Sequence, residues 1–186
     1  MLTINLQTDD LFFKDVTKEN LQDVLGLFNQ NENNIYATGI DRPMSIMDLN
    51  EKYLEVLVNS HEFFTGIFLN SAETAAEQEE QEPLVGILKG RIDYENSEEA
   101  WISSLLIDGK YRHRGIGRDS TNAFVQFLNK SYDVKRIFIG ILSGNEVGKK
   151  FWQTMGFSYI RTIEQYMRLN NHVEDFIIMK KELAKK

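Results

Sequence analysis

The stretch "YRHRGIGRDS", residues 111–120, gathers Arg112, His113, Arg114 and Arg118 around Gly115 and Gly117, in a chain of formal net charge -7. Like charges crowded onto one turn repel, so an anion is their natural counterpart. The stretch follows an apolar run, "AWISSLLI" (100–107), and precedes apolar residues at helical spacing, Ile116, Ala123, Phe124 and Phe127. That order reads as strand, turn and helix start. Main-chain N–H groups at a helix start have no intrahelical acceptor and carry the positive end of the helix dipole. Glycines there lack a Cβ, so a ligand approaches the backbone closely. Several such amides with Arg112, Arg114 and Arg118 suit a pyrophosphate.

The residues alone leave other readings open. A dinucleotide fingerprint needs a third glycine where Ser120 stands, and a nucleotide-binding P-loop needs a Gly-Lys-Ser/Thr run that is absent. A plain helix start, with glycines for turn geometry and arginines in solvent, also fits.

Composition narrows the context. The 186 residues suit a single domain, expected to span 1–186. Hydrophobic residues at 42% and charged residues at 26% are ordinary for a soluble globular chain. No apolar run approaches the ~20 residues that span a bilayer, so no membrane partner is expected. The start "MLTINLQTDD" lacks the regions of a signal peptide, and a cytoplasmic location is expected. With no cysteine there is no disulfide, thiolate site or Cys nucleophile. A pI near 5.1 argues against nucleic acid as a partner, and the basic patch is sized for a small anion. His61, His113 and His172 have no metal-site spacing, so no metal is expected.

Elsewhere the pattern alternates strands and helices. "LFFKDVT" (11–17) reads as a strand, and Thr17 as the cap of a helix whose face is Leu21, Val24, Leu25 and Phe28. A second helix starts at Ser45 with a capping box to Asp48 and a stripe of Ile46, Leu49, Tyr53 and Leu57. Strands follow at 63–69, 84–94, 100–107, 136–142, 159–167 and 174–183, with a glutamate-rich loop at 70–83 and a helix over 145–155 ended by Gly156. The predicted architecture is α/β (α+β): a mixed central sheet of six to seven strands with helices on both faces.

Arg112-His113-Arg114-Gly115-Ile116-Gly117 resembles the R/Q-x-x-G-x-G/A signature of the GNAT superfamily of N-acetyltransferases. "NEVGKKFWQTMGF" (145–157) resembles its second coenzyme-binding stretch, and "EDFIIMKKEL" (174–183) its closing strand. The likeness follows the chain in matching order and is most specific from residue 84 onward. It implies the GNAT fold and acetyl-CoA as cosubstrate. The turn Arg112, His113, Arg114, Gly115, Ile116, Gly117 and Arg118 would cradle the pyrophosphate. The strand segment Leu105, Leu106 and Ile107 would hold the pantetheine arm in a slot where this strand splays from the next, with Asn145 on the other side. Lys149 or Lys150 would meet the adenosine phosphate, and Trp152 would pack beside the coenzyme.

The resemblance also implies a catalytic outline. Leu105 supplies its backbone N–H to the oxyanion. Trp152 stands where many members carry a tyrosine that protonates the leaving sulfur, and an indole N–H is no acid. Tyr159 and Tyr166 are substitutes, with core packing as the alternative for both. Ser103 is the candidate to position a water that takes the amine proton. The acceptor site is expected from the first two helices and their loop, "NENNIYATGIDRPMS" (31–45), together with the C-terminal strand pair. The implied function is acetyl transfer to a primary amine of a small molecule, amino acid or peptide, by a monomer or homodimer. A non-catalytic sensor or interaction module that binds CoA or acyl-CoA is the alternative, followed by a nucleotide binder.

Overall fold

The structure is a computed structural model that describes residues 1–30, 36, 42–70, 83–169 and 172–184. Most of the glutamate-rich loop expected at 70–83 lies outside the described residues, as does most of the 31–45 loop.

Eight strands form one sheet: β1 (Asn5–Gln7), β2 (Leu11–Asp15), β3 (Glu62–Leu69), β4 (Leu84–Ile92), β5 (Glu99–Ile107), β6 (Arg136–Leu142), β7 (Ser158–Leu169) and β8 (His172–Glu182). Among the described residues, the helices that pack on the sheet are α1 (Leu21–Asn29), α2 (Ile46–Leu57), α3 (Ile116–Tyr132) and α4 (Glu146–Thr154). Strand order is β1-β2-β3-β4-β5-β6-β8-β7. Every neighbouring pair is antiparallel except β5 and β6, which are parallel and joined by a crossover through α3. The mixed sheet agrees with the sequence, with one strand more than expected: β1 has three residues and pairs only with β2.

Each face of the sheet carries its own core. On one, α3 and α4 bury Phe124, Val125, Leu128, Trp152 and Met155 against Phe13, Phe63, Leu88, Ile102 and Ile139. On the other, α1 and α2 bury Val24, Leu27, Leu49 and Val56 against Phe64, Ile87 and Leu106. Burying a Leu or Val side chain contributes about 1.5–3 kcal/mol, which anchors these helices more firmly than propensity does.

The buried face of each of these two helices differs by a position from the expected stripe. Leu27 rather than Leu25 is buried in α1, and Val56 rather than Leu57 in α2, where Ile46 and Leu57 are 38% exposed. A 3₁₀ turn, Lys18–Asn20, separates Thr17 from α1, and the Thr17 N–H donates to Asn20 Oδ1 at 3.0 Å. At Ser45 the capping box is present: Asp48 N–H donates to Ser45 Oγ, and Ser45 N–H donates to Asp48 Oδ2.

Candidate active site

Pairing of β5 with β6 stops after four residue pairs, the last being Ile102 with Ile139. Beyond that point β5 stays on β4 while β6 continues on β8, so the sheet opens into a V between β5 and β6. The β4–β5 ladder shifts register at Lys89 and Gly90, a bulge that strengthens local twist and turns β5 away from its neighbour.

The slot has polar walls because of strand alternation. Asp108 N–H donates to the Val85 carbonyl at 2.9 Å. Alternate residues of an antiparallel strand turn their N–H and C=O to the same side. Leu106 therefore bonds toward β4, and Leu105 and Ile107 turn their amides to the side that β6 has left. Leu106 also sends its side chain into the core under α1 and α2. Of the three residues expected on the arm, the fold thus brings two to the slot with their main-chain groups and leaves Leu106 in the ladder.

The basic segment follows directly. Arg112 Nε donates to the Ile107 carbonyl at 2.9 Å, tying the turn to the end of β5. His113 and Gly115 have φ of 62° and 86°. Gly115 is the N-cap of α3, and left-handed backbone there favours glycine. The N–H groups of Ile116, Gly117 and Arg118 then form the first turn of α3, whose first intrahelical donor is Asp119, bonded to the Gly115 carbonyl at 2.9 Å. A Cβ on Gly117 would meet Ile107 Cγ1 and Phe151 Cε2, both at 3.6 Å, so strand end, helix start and α4 converge on this glycine. Arg118 pairs with Asp119 at 3.1 Å, and the Arg114 guanidinium lies 5.7 Å from the Tyr111 ring. Neither Arg112 nor Arg114 is ion-paired among the described residues, so both keep charge for an anion. Ser120 is fully buried toward the core, which suits a small side chain where helix meets sheet.

On the far side, Asn145 Oδ1 accepts from Gly148 N–H at 2.8 Å and caps α4. A Cβ on Gly148 would sit 2.6 Å from Asn145 Nδ2, which explains the small residue three positions on. Lys149 is ion-paired to Glu146 at 2.8 Å. Trp152 is buried, edge-on to Phe151 and Phe157, and reaches the core rather than open space. Phe151, not singled out in the sequence, is the aromatic of that pair that meets Gly117.

At the vertex of the V, on the face carrying α1 and α2, lies a cavity of about 280 Å³. Arg91, Trp101, Ser103, Tyr166 and Phe176 line it, with Tyr36 from the 31–45 loop. Ser103 Oγ donates to the Lys89 carbonyl at 3.1 Å. A Cβ on Gly140 would fall 1.9 Å from Phe176 Cζ, so the glycine admits the Phe176 ring, which stacks on Tyr166 at 4.5 Å. A bulge in β7, with Gln165 at φ 50° and its N–H on Asp175 Oδ1, sets Tyr166 there. Tyr166 is 51% exposed and Tyr159 63%, so neither is a core tyrosine. Among the described residues no group of His, Cys, Asp and Glu could hold a metal, and no helix is long and apolar enough to cross a membrane.

The acetyltransferase (GNAT) domain matches residues 75–178, and the chain belongs to that family. A spermine/spermidine N(1)-acetyltransferase of Bacillus subtilis (strain 168) is 30% identical over 59 residues, 32% of this chain; the match spans 39% of that relative's length. A spermidine N-acetyltransferase from Vibrio cholerae, solved in complex with CoA and spermine, superposes with a TM-score of 0.75 at 16% identity, covering 94% of this chain and 96% of its own. A microcin C7 self immunity acetyltransferase, solved with acetyl-CoA and AMP, gives a TM-score of 0.73 at 18% identity, covering 95% and 94%. At these identities the two structures establish a common fold.

Proposed function

We infer that this chain is an acetyl-CoA-dependent N-acetyltransferase acting on a primary amine. The observation that carries the reading is the V: β5 leaves β6 after Ile102, and its open end meets a helix start flanked by Arg112 and Arg114, neither ion-paired among the described residues. A pantetheine arm laid along β5 would bond Leu105 and Ile107 as a further strand does. Its pyrophosphate would lie on the amides of Ile116, Gly117 and Arg118.

The amine attacks the thioester carbonyl carbon in its neutral form. A C–N bond forms and the carbonyl oxygen gains negative charge, which the Leu105 N–H is turned to receive. Such a donor contributes about 2.7–4 kcal/mol in the transition state. Collapse breaks the C–S bond, and the nitrogen gives up a proton to water beside Ser103 while the thiolate takes one up. Trp152 is buried and its indole N–H is no acid, so it does not supply that proton. Proton transfer by a positioned group contributes about 10²–10⁴-fold, so turnover through water is slowed and not abolished.

Isothermal titration with CoA and thiol release over an amine panel test this. Gly117→Glu and Arg114→Glu should each weaken CoA binding at least tenfold with the fold retained by circular dichroism. Unchanged affinity in both variants would refute the cradle. Tight CoA binding without thiol release for any amine would favour a non-catalytic binding module.

A further inference from the structure

The cavity at the vertex of the V is the place from which an acceptor would reach β5, and its charge is informative. Among its described lining residues Arg91 alone is charged, and no carboxylate lines it. Glu62, directly across the ladder from Arg91, accepts at Oε1 from Asn59 Nδ2 and from the Tyr94 hydroxyl. The Arg91 guanidinium lies 5.7 Å from the Tyr94 ring and forms no ion pair among the described residues. Glu174, at the same end of the molecule, is held by Ser143 Oγ and the Gly144 N–H, each at 2.7 Å. The walls also carry aromatic rings: Trp101, which stacks on Phe138 at 5.0 Å, and Tyr166 on Phe176.

A guanidinium at an apolar wall is a fork for a carboxylate and repels an ammonium. Among the described lining residues a polyamine, with several positive charges, finds no counter-charge. The geometry points to an acceptor that carries a carboxylate, seated on Arg91 while its amine meets β5 between Ser103 and Leu105. This rests on the acetyltransferase reading above and names its substrate class. Arg91 faces Trp101 across the ladder, and Leu105 lies four residues further, about 13 Å along a strand at ~3.3 Å per residue. The 280 Å³ lined by Arg91, Trp101 and Ser103 holds a free α-amino acid or dipeptide.

The test is thiol release with α-amino acids and dipeptides, each paired with its C-terminal amide, and with spermidine alongside. The parent, Arg91→Gln and Arg91→Glu are compared. Arg91 is exposed, so these variants should fold, and their CoA affinity should equal the parent's. Free acids are expected to exceed their amides at least tenfold in kcat/KM with the parent. Arg91→Gln should erase that preference, and Arg91→Glu should reverse it. Spermidine or amides matching the free acids in the parent would overturn the assignment, as would a preference that survives Arg91→Gln. Should no acceptor release thiol, the catalytic reading falls. Calorimetric binding of N-acetylglycine to the CoA-loaded protein then decides the anion site separately. Tenfold weaker binding by Arg91→Gln sustains it, and equal binding by parent and variant removes it.

Discussion

Leu105 is the residue on which chemistry and structure meet most closely. Its side chain packs on the core under α3, while its N–H is turned away from β4 and is spent on no ladder bond. Leu105→Ala leaves that N–H in place. Leu105→Pro deletes it while sparing the neighbouring bonds of Leu106 to β4, because proline lacks only its own donor. The expected outcome is a kcat for Leu105→Pro lowered by about 10²–10³-fold, against a change of less than tenfold for Leu105→Ala, both read by thiol release. Equal losses in the two variants would assign the effect to packing. Residues of this kind divide sharply in how far sequence reveals them. Gly115 and Gly117 were legible because a helix start and its amides are local features. Arg91 carried no signal, since its place in the cavity depends on a bulge and a register between β4 and β5 that no short window contains. The burial of Trp152 against Phe157 follows only from how α4 docks.

Among the elements, α2 has its start most firmly specified. Ser45 and Asp48 cap it reciprocally, and Arg42 adds a bidentate pair to the same carboxylate at 2.7 and 3.0 Å. Arg42, with the Ser45 N–H and hydroxyl, holds the Asp48 carboxyl well below the usual carboxylate range. A depressed value means the folded state favours the charged form. The stabilisation is complete above the unfolded value of about 3.9 and is lost as pH falls below it. Melting temperatures between pH 5 and pH 2 should therefore fall less steeply for Asp48→Asn than for the parent, and parallel slopes would contradict the linkage. The cap was plain in "SIMD", whereas the buried face of the same helix was misphased by one residue. Leu57 and Val56 are both apolar, and the choice between them is made by the angle at which the helix lies on Phe64 and Ile87. Strand β1 escaped notice for a similar reason. Its three residues, Asn5, Leu6 and Gln7, have no alternation long enough to read, and β2 makes them a strand.

At the scale of the whole molecule, the sheet is closed at one edge by the short β1 and left open at the other by the twelve-residue β7. That open edge carries Arg161, Glu164 and Arg168 and is broken by two register shifts, features that discourage pairing with other chains. The two cores are separated by the sheet, and the V is the place where the sheet ceases to separate them. The helix start belongs to the α3 face, and the cavity of Arg91 and Trp101 to the α1 face.

A cavity and a helix start on opposite faces of one sheet have a kinetic meaning. On the acetyltransferase reading, donor and acceptor would each arrive by their own doorway, so neither would have to vacate the protein before the other enters. Initial velocities measured while both concentrations are varied should then give double-reciprocal lines that intersect, the mark of a ternary complex. Parallel lines would mean instead that the acyl group rests on the protein between two half-reactions, a stop that two separate approaches make unnecessary.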